Sequence, residues 1–140
     1  FGRAIAMAAA AFDKRIETMK RARKTLLDAF GAEIPDILIN SPDNESGCPS
    51  VLSVSFLGTR GEVLLHTLEQ DNIFVSTGSA CSSNKKGQSH VLSAMGLSPK
   101  EIEGTIRFSF SEFNTEKEME YTADKVKAAV NRFRRLGSFR

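Results

Sequence analysis

Residues 76 to 88 read Ser-Thr-Gly-Ser-Ala-Cys-Ser-Ser-Asn-Lys-Lys-Gly-Gln and interrupt every hydrophobic periodicity in the chain. They hold a candidate nucleophile, Cys81. Its neighbours are small, so side chains do not wall in the thiol, and Gly78 opens unusual backbone torsions. Lys85, Lys86 and His90 lie close in sequence, and positive charge near a sulfur favours the thiolate, its nucleophilic form. A second candidate is Arg107. Ile106, Phe108 and Phe110 alternate along residues 105 to 110, so a strand there would turn Arg107 to the opposite face. Its planar guanidinium fork suits a carboxylate gripped at two points. Each residue also has a plainer reading. Cys81 could be an inert loop thiol, and Arg107 an exposed strand arginine in a weak surface ion pair.

Other chemistries lack their motifs. There is no Cys-x-x-Cys pair for a thioredoxin-type site and no Gly-x-x-x-x-Gly-Lys-Ser phosphate loop. Two Cys and two His without short ligand spacing do not make a zinc site. Cys48, beside Pro49, is given no role, and His66 reads as a surface residue. The basic cluster of Arg21, Arg23 and Lys24 with Arg132, Arg134 and Arg135 is scattered by helical spacing and diluted by acids, so it reads as a solvated face. The net charge of +2 argues for neither nucleic acid nor membrane attraction. No apolar run approaches the roughly 20 residues of a membrane span. Ala4 to Ala11 runs straight into Phe12-Asp13-Lys14-Arg15 and reads as helix rather than an export signal, so a cytoplasmic location is expected. In that compartment Cys48 and Cys81, 33 positions apart, are separate thiols.

The 140 residues suffice for one domain of ordinary composition, 41% hydrophobic and 26% charged. Apolar residues at three- and four-residue steps predict a long amphipathic helix from Ala4 to Phe30, capped by Gly31. Ile37–Ile39, Val51–Leu57, Ile73–Val75 and Thr105–Phe110 read as strands. In the second of these, Leu52, Val54 and Phe56 face one side, with Ser53 and Ser55 on the other. Glu62–Gln70 reads as a helix with Val63, Leu64, Leu65 and Leu68 as its stripe. Ser89–Met95 is a short helix stopped by Gly96. Ser98-Pro99-Lys100-Glu101 and Thr115-Glu116-Lys117-Glu118 are capping boxes. The last helix buries Met119, Ala123, Val126, Val130 and Phe133, with a basic tail at residues 132–140 that frays. The fold class expected is α/β (α+β): a small, mainly antiparallel sheet covered by helices.

Several blocks, in order, resemble cysteine desulfurases of the NifS/IscS type. Val75-Ser76-Thr77-Gly78-Ser79-Ala80-Cys81-Ser82-Ser83 resembles their active-site cysteine loop. Ser89-His90-Val91-Leu92 and Ala94-Met95-Gly96 continue the likeness. Gly104-Thr105-Ile106-Arg107-Phe108-Ser109, followed by Asn114-Thr115-Glu116, resembles their substrate-arginine strand and the start of the next helix. Phe56-Leu57-Gly58 with Gly61-Glu62-Val63-Leu64-Leu65 adds a third block.

The resemblance implies the small C-terminal domain of a class V aminotransferase-like enzyme dependent on pyridoxal 5'-phosphate. Residues 1–140 would form that single domain, with a connecting helix at 1–31 and the cysteine loop at 76–88. It implies that Cys81 attacks the sulfur of L-cysteine, leaving L-alanine and an enzyme persulfide, and that Arg107 holds the substrate carboxylate. A mobile loop suits a sulfur that must reach both a buried cofactor and an external acceptor. The acceptor would be an iron–sulfur scaffold or a tRNA sulfurtransferase, and the parent enzyme a homodimer. The family's cofactor lysine lies in a Ser-x-His-Lys type motif, which this sequence lacks; Lys85 and Lys86 do not match it. No cofactor is therefore expected on this chain alone, and it should not turn over cysteine. The alternative is a stand-alone persulfide carrier or interaction module.

Overall fold

The computed structural model describes residues 1–42, 47–77 and 89–137. The order is α1 (Gly2–Ala10), α2 (Phe12–Glu33), β1 (Ile37–Ile39), β2 (Val51–Phe56), α3 (Gly61–Glu69), α4 (His90–Ala94), α5 (Pro99–Glu103), β3 (Thr105–Ser109) and α6 (Glu116–Gly137). The strands form one antiparallel sheet in the order β1-β2-β3. Alternation decides its core face: Leu52, Val54 and Phe56 of β2 and Ile106 of β3 are fully buried, with Phe108 and Phe110 close behind. Against them lie Leu26 and Phe30 of α2, Leu64 and Leu68 of α3, and Met119, Val126 and Val130 of α6. Phe30 stands at the centre, its ring edge-on to Phe56 and tilted against Phe108, with both centroid distances 5.4 Å. The expected α+β class and small antiparallel sheet are what is found.

Several elements depart from the sequence reading. The first long helix is two helices, because Ala11 at φ −111°, ψ 5° leaves the helical region between α1 and α2. All of α1 is exposed. Gly31 is not a cap: α2 continues to Glu33 and ends at Ile34, in extended backbone. Pro35 follows, and a residue before proline is pushed out of the helical region. Ile34 is also buried, so the core draws the chain to that point. Residues 73–75 are not a ladder strand; pairing there is confined to one bridge, Ser76 with Arg107, and Phe74 is 78% exposed. In α3 the buried stripe narrows to Leu64 and Leu68, while Val63 faces solvent. Ser55 is as buried as its core-facing neighbours, so the second face of β2 is partly covered.

The basic face is not wholly solvated. Arg23 donates from Nε to Val51 O (3.2 Å) and from Nη2 to Pro42 O (2.6 Å). Arg134 donates to Leu57 O (2.8 Å), Pro35 O (2.8 Å) and Asp36 O (2.9 Å), stapling α6 to two connections. That staple lies inside the stretch expected to fray, and α6 continues past it to Gly137. Both capping boxes form. Ser98 N–H donates to Glu101 Oε2 (2.6 Å), and Thr115 N–H to Glu118 Oε2 (2.7 Å).

Gly31 sits inside an exposed helical turn with open space where a Cβ would be. Replacing it with alanine removes the entropic cost of glycine in a helix, so Gly31→Ala is expected to stabilise the fold by about 0.5–1 kcal/mol, read as a higher urea midpoint at unchanged slope.

Candidate functional site

The face of the sheet turned from the core is built by the same alternation that builds the core. β2 presents Ser53 and Ser55 there, and β3 presents Thr105, Arg107 and Ser109. The register sets Ser53 opposite Arg107 and Ser55 opposite Thr105. Asn40 continues β1, its N–H donating to Ser53 O at 2.9 Å. On the free side of β3, Ser76 exchanges both backbone hydrogen bonds with Arg107. Ser76 N–H donates to Arg107 O (3.1 Å), and Arg107 N–H to Ser76 O (2.7 Å). Asn40, Ser53, Arg107 and Ser76 therefore form one row across the sheet.

Beside this row runs a chain of hydroxyls with one consistent direction. Thr105 Oγ1 donates to Glu101 O (2.8 Å), so it accepts from Ser55 Oγ (2.8 Å). Ser55 Oγ in turn accepts from Asn40 Nδ2 (2.9 Å). Glu101 belongs to α5, which covers this part of the face and accounts for the burial of Ser55 and Thr105. Two glycines permit the close approach. A Cβ on Gly104 would lie 2.4 Å from Phe56 O, and one on Gly61 would lie 2.7 Å from Thr105 O and 3.2 Å from Thr77 Cγ2.

Arg107 itself is exposed. Its Nη2 donates to Ser76 Oγ at 3.4 Å, and Ser76 Oγ donates to Thr77 O at 3.1 Å. Among the described residues no carboxylate pairs with Arg107, so the plain reading of a surface ion pair is not what is seen. The fork keeps donors for a planar anion. Cys81, Lys85 and Lys86 lie outside the described residues, as does all of 78–88. The flanks of that stretch are fixed: Ser76 to β3, and Ser89 as the N-cap of α4, accepting from Leu92 N–H at 3.4 Å. His90 opens α4 and is exposed. Ser76, Asn40 and Thr105 are site neighbours that sequence reasoning did not single out. The signal available was the run of small polar residues alternating with the core positions.

A cleft of about 400 Å³ lies along residues 71–75, lined among others by Asp71, Phe74, Phe110, Glu118 and Tyr121 but not by Arg107 or Ser76. Its charged lining is two carboxylates and no cation, a poor match for a phosphate-bearing cofactor such as pyridoxal phosphate. Among the described residues no group of three or more His, Cys, Asp or Glu could hold a metal, and no helix is long and apolar enough to cross a membrane. His66 is a surface residue as expected, its Nδ1 3.0 Å from Glu69 Oε2. Cys48 is exposed, and its contact with Ser50 Oγ (3.1 Å) together with the Ser50 backbone lowers its pKa below the usual thiol value.

The antiparallel sheet and its helical cover make a small α+β domain, a fold shared with aminotransferase-like structures. The model of the family Aminotransferase class-V matches residues 1–122, and the chain belongs to that family. It is 32% identical over 139 residues to cysteine desulfurase IscS of Dictyoglomus turgidum, covering 99% of this chain and 35% of the relative. To cysteine desulfurase IscS of Salmonella arizonae it is 39% identical over 104 residues, 74% of this chain and 25% of the relative. Among solved structures, a NifS-like protein superposes with a TM-score of 0.77 at 30% identity, over 92% of this chain and 31% of the other. A NifS-like protein from Rickettsia africae gives 0.79 at 24% identity, over 94% and 33%, a likeness of fold. The chain spans about a third of the length of the curated relatives it matches over nearly its whole length.

Two expectations follow from the hydroxyl chain and its helix. Thr105→Val keeps the shape but leaves the buried Ser55 hydroxyl without its acceptor, and is expected to cost about 1–3 kcal/mol by denaturant unfolding. The capping contacts with Ser98 hold the Glu101 carboxyl below the usual glutamate range. A carboxyl depressed in the folded state stabilises above its unfolded pKa, and that contribution fades as pH falls through the folded value. Ser98→Ala removes the hydroxyl but keeps the backbone donor, so it should move the Glu101 carboxyl part of the way toward an ordinary glutamate in a carbon-13 titration and lessen its share of the acid-side loss of stability.

Proposed function

We propose that residues 1–140 are the C-terminal small domain of a pyridoxal-phosphate-dependent cysteine desulfurase. In this reading 1–31 join it to the larger part, 76–88 are the cysteine loop and 132–140 a basic tail. The observation that carries the reading is the Arg107 fork. It is exposed, free of any carboxylate partner among the described residues, and bonded through its own backbone to Ser76. Cys81 is five positions past Ser76, a covalent reach of at most about 18 Å. The arginine and the thiol are thus tied to one point of the sheet. The family and the desulfurase names of the relatives support the same conclusion.

Arg107 grips the carboxylate of L-cysteine with two parallel N–H donors. Cys81 attacks the substrate sulfur as its thiolate. A sulfur–sulfur bond forms as the carbon–sulfur bond breaks, and the carbon keeps the electron pair, takes up a proton and leaves as alanine. The outer sulfur of the Cys81 persulfide then passes to an acceptor protein, an iron–sulfur scaffold or a tRNA sulfurtransferase. Pyridoxal phosphate in the parent enzyme supplies the electron-withdrawing chemistry. The Asp71–Glu118 cleft does not suit it, and its lysine belongs to the family's larger domain. We place the parent enzyme in the cytoplasm as a homodimer that binds neither membrane nor nucleic acid directly.

In the full-length protein, Cys81→Ala should abolish sulfide release, and Arg107→Ala should raise the KM for cysteine about a hundredfold, both read from paired alanine and sulfide assays. The isolated 140 residues with added cofactor should release neither; sustained turnover would overturn the assignment. Thiol-labelling comparisons belong in a Cys48→Ser background, because the lowered pKa of Cys48 makes it a poor inert reference.

A further inference from the structure

We infer that Ser76 is a positioning residue for Arg107, setting the plane of the guanidinium that receives the substrate carboxylate; this rests on the functional reading above. Three observations converge on it. The two residues exchange a closed pair of backbone hydrogen bonds, 2.7 and 3.1 Å, so their Cα atoms are held opposite each other and their side chains emerge on the same face. The Ser76 hydroxyl has its proton committed to Thr77 O at 3.1 Å, which leaves a lone pair for Arg107 Nη2. No other side-chain partner holds the guanidinium among the described residues: Ser53, opposite it on β2, hydrogen-bonds Asn40 instead.

A guanidinium on a long flexible stem would otherwise sweep through many rotamers, and ordering it on substrate binding costs entropy. The Nη2···Oγ distance of 3.4 Å is long for an N–H···O bond. It is the geometry of a contact that directs the fork without occupying it, and that shortens when a carboxylate draws the fork into line. One Nη2 proton goes to Ser76, and the other stays beside those of the neighbouring nitrogens for a two-point grip. Because Ser76 Oγ is bonded to Thr77 O, the orientation of the grip is also linked to the backbone entering the cysteine loop. Gly61 lies beside Thr77, close enough that a Cβ there would sit 3.2 Å from Thr77 Cγ2, so only glycine leaves Thr77 its place without a shift.

The test uses the full-length holoenzyme and equilibrium binding by calorimetry, with L-alanine as a carboxylate-bearing probe and ethylamine as the same amine without the carboxylate. Ser76→Ala is expected to weaken L-alanine binding about three- to tenfold while leaving ethylamine unchanged. Ser76→Thr, which keeps the hydroxyl, should stay within about twofold of the parent. In turnover the same split should appear as a raised KM for cysteine at nearly unchanged kcat. Melting temperatures check that both variants fold. Unchanged L-alanine binding in Ser76→Ala, equal weakening of both probes, or no recovery with a folded Ser76→Thr would each overturn the inference while leaving the functional reading standing. If Arg107→Ala binds L-alanine as tightly as the parent, the functional reading itself fails and this inference falls with it.

Discussion

Ile106 and Phe108 can enter the core only if Arg107, between them, faces away from it. Their burial is worth about 1.5–3 kcal/mol each, far more than any surface contact of an arginine. The same constraint acts on β2, where Leu52, Val54 and Phe56 are fully buried and Ser53 is turned out. Pairing two such strands antiparallel leaves no freedom in which polar residues meet, since a one-residue slip would put Arg107 under Phe30. The face bearing the candidate site is therefore the necessary reverse of the face bearing the core. Phe30, touching both Phe56 and Phe108, locks the two strands in that register.

Three arginines show how surroundings divide one chemistry into different uses. Arg23 and Arg134 direct their donors to backbone carbonyls, Val51 O at the start of β2 and Pro42 O for Arg23, and Leu57 O, Pro35 O and Asp36 O in connections for Arg134. Two of the carbonyls held by Arg134 belong to Asp36, at φ 52°, and to Leu57, just before Gly58 at φ 77°. Tight left-handed turns expose such oxygens, and a rigid fork fits several at once. Among the described residues Arg107 bonds no carbonyl through its guanidinium and shares one hydroxyl, which leaves donors of its fork for a ligand. Local sequence sets Arg107 on a strand and the other two on helices, but which groups each fork meets is decided only by their neighbours in space.

The face around Arg107 is graded in burial. Ser55 and Thr105 lie sealed beneath α5, while Arg107, two residues further along β3, is exposed. The hydroxyl chain from Asn40 to Glu101 O stiffens the sealed part, and the Ser76 bridge ties the open part to residues 76–77. Under the proposed function, a loop carrying a reactive group would gain from this arrangement, because its root at Ser76 is hydrogen-bonded to Arg107.

Much of this was readable in the residues, because period-two and period-3.6 patterns and capping boxes are local. The strands at 37–39, 51–56 and 105–109, the outward side of Arg107 and both helix starts at 98 and 115 follow from spacing alone. The break at Ala11, the run of α2 past Gly31 to the pull of Pro35 and buried Ile34, and the unpaired stretch at 73–75 were not legible, since each depends on what the core offers that segment. The arginine staples and the row Asn40–Ser53–Arg107–Ser76 join residues as far as 99 apart in the chain. A linear pattern can assign a side chain to a face, because that is decided by the nearest neighbours. Which side chains share that face, and at what distance, is decided by register and by packing against distant elements, so it exists only once the chain has folded.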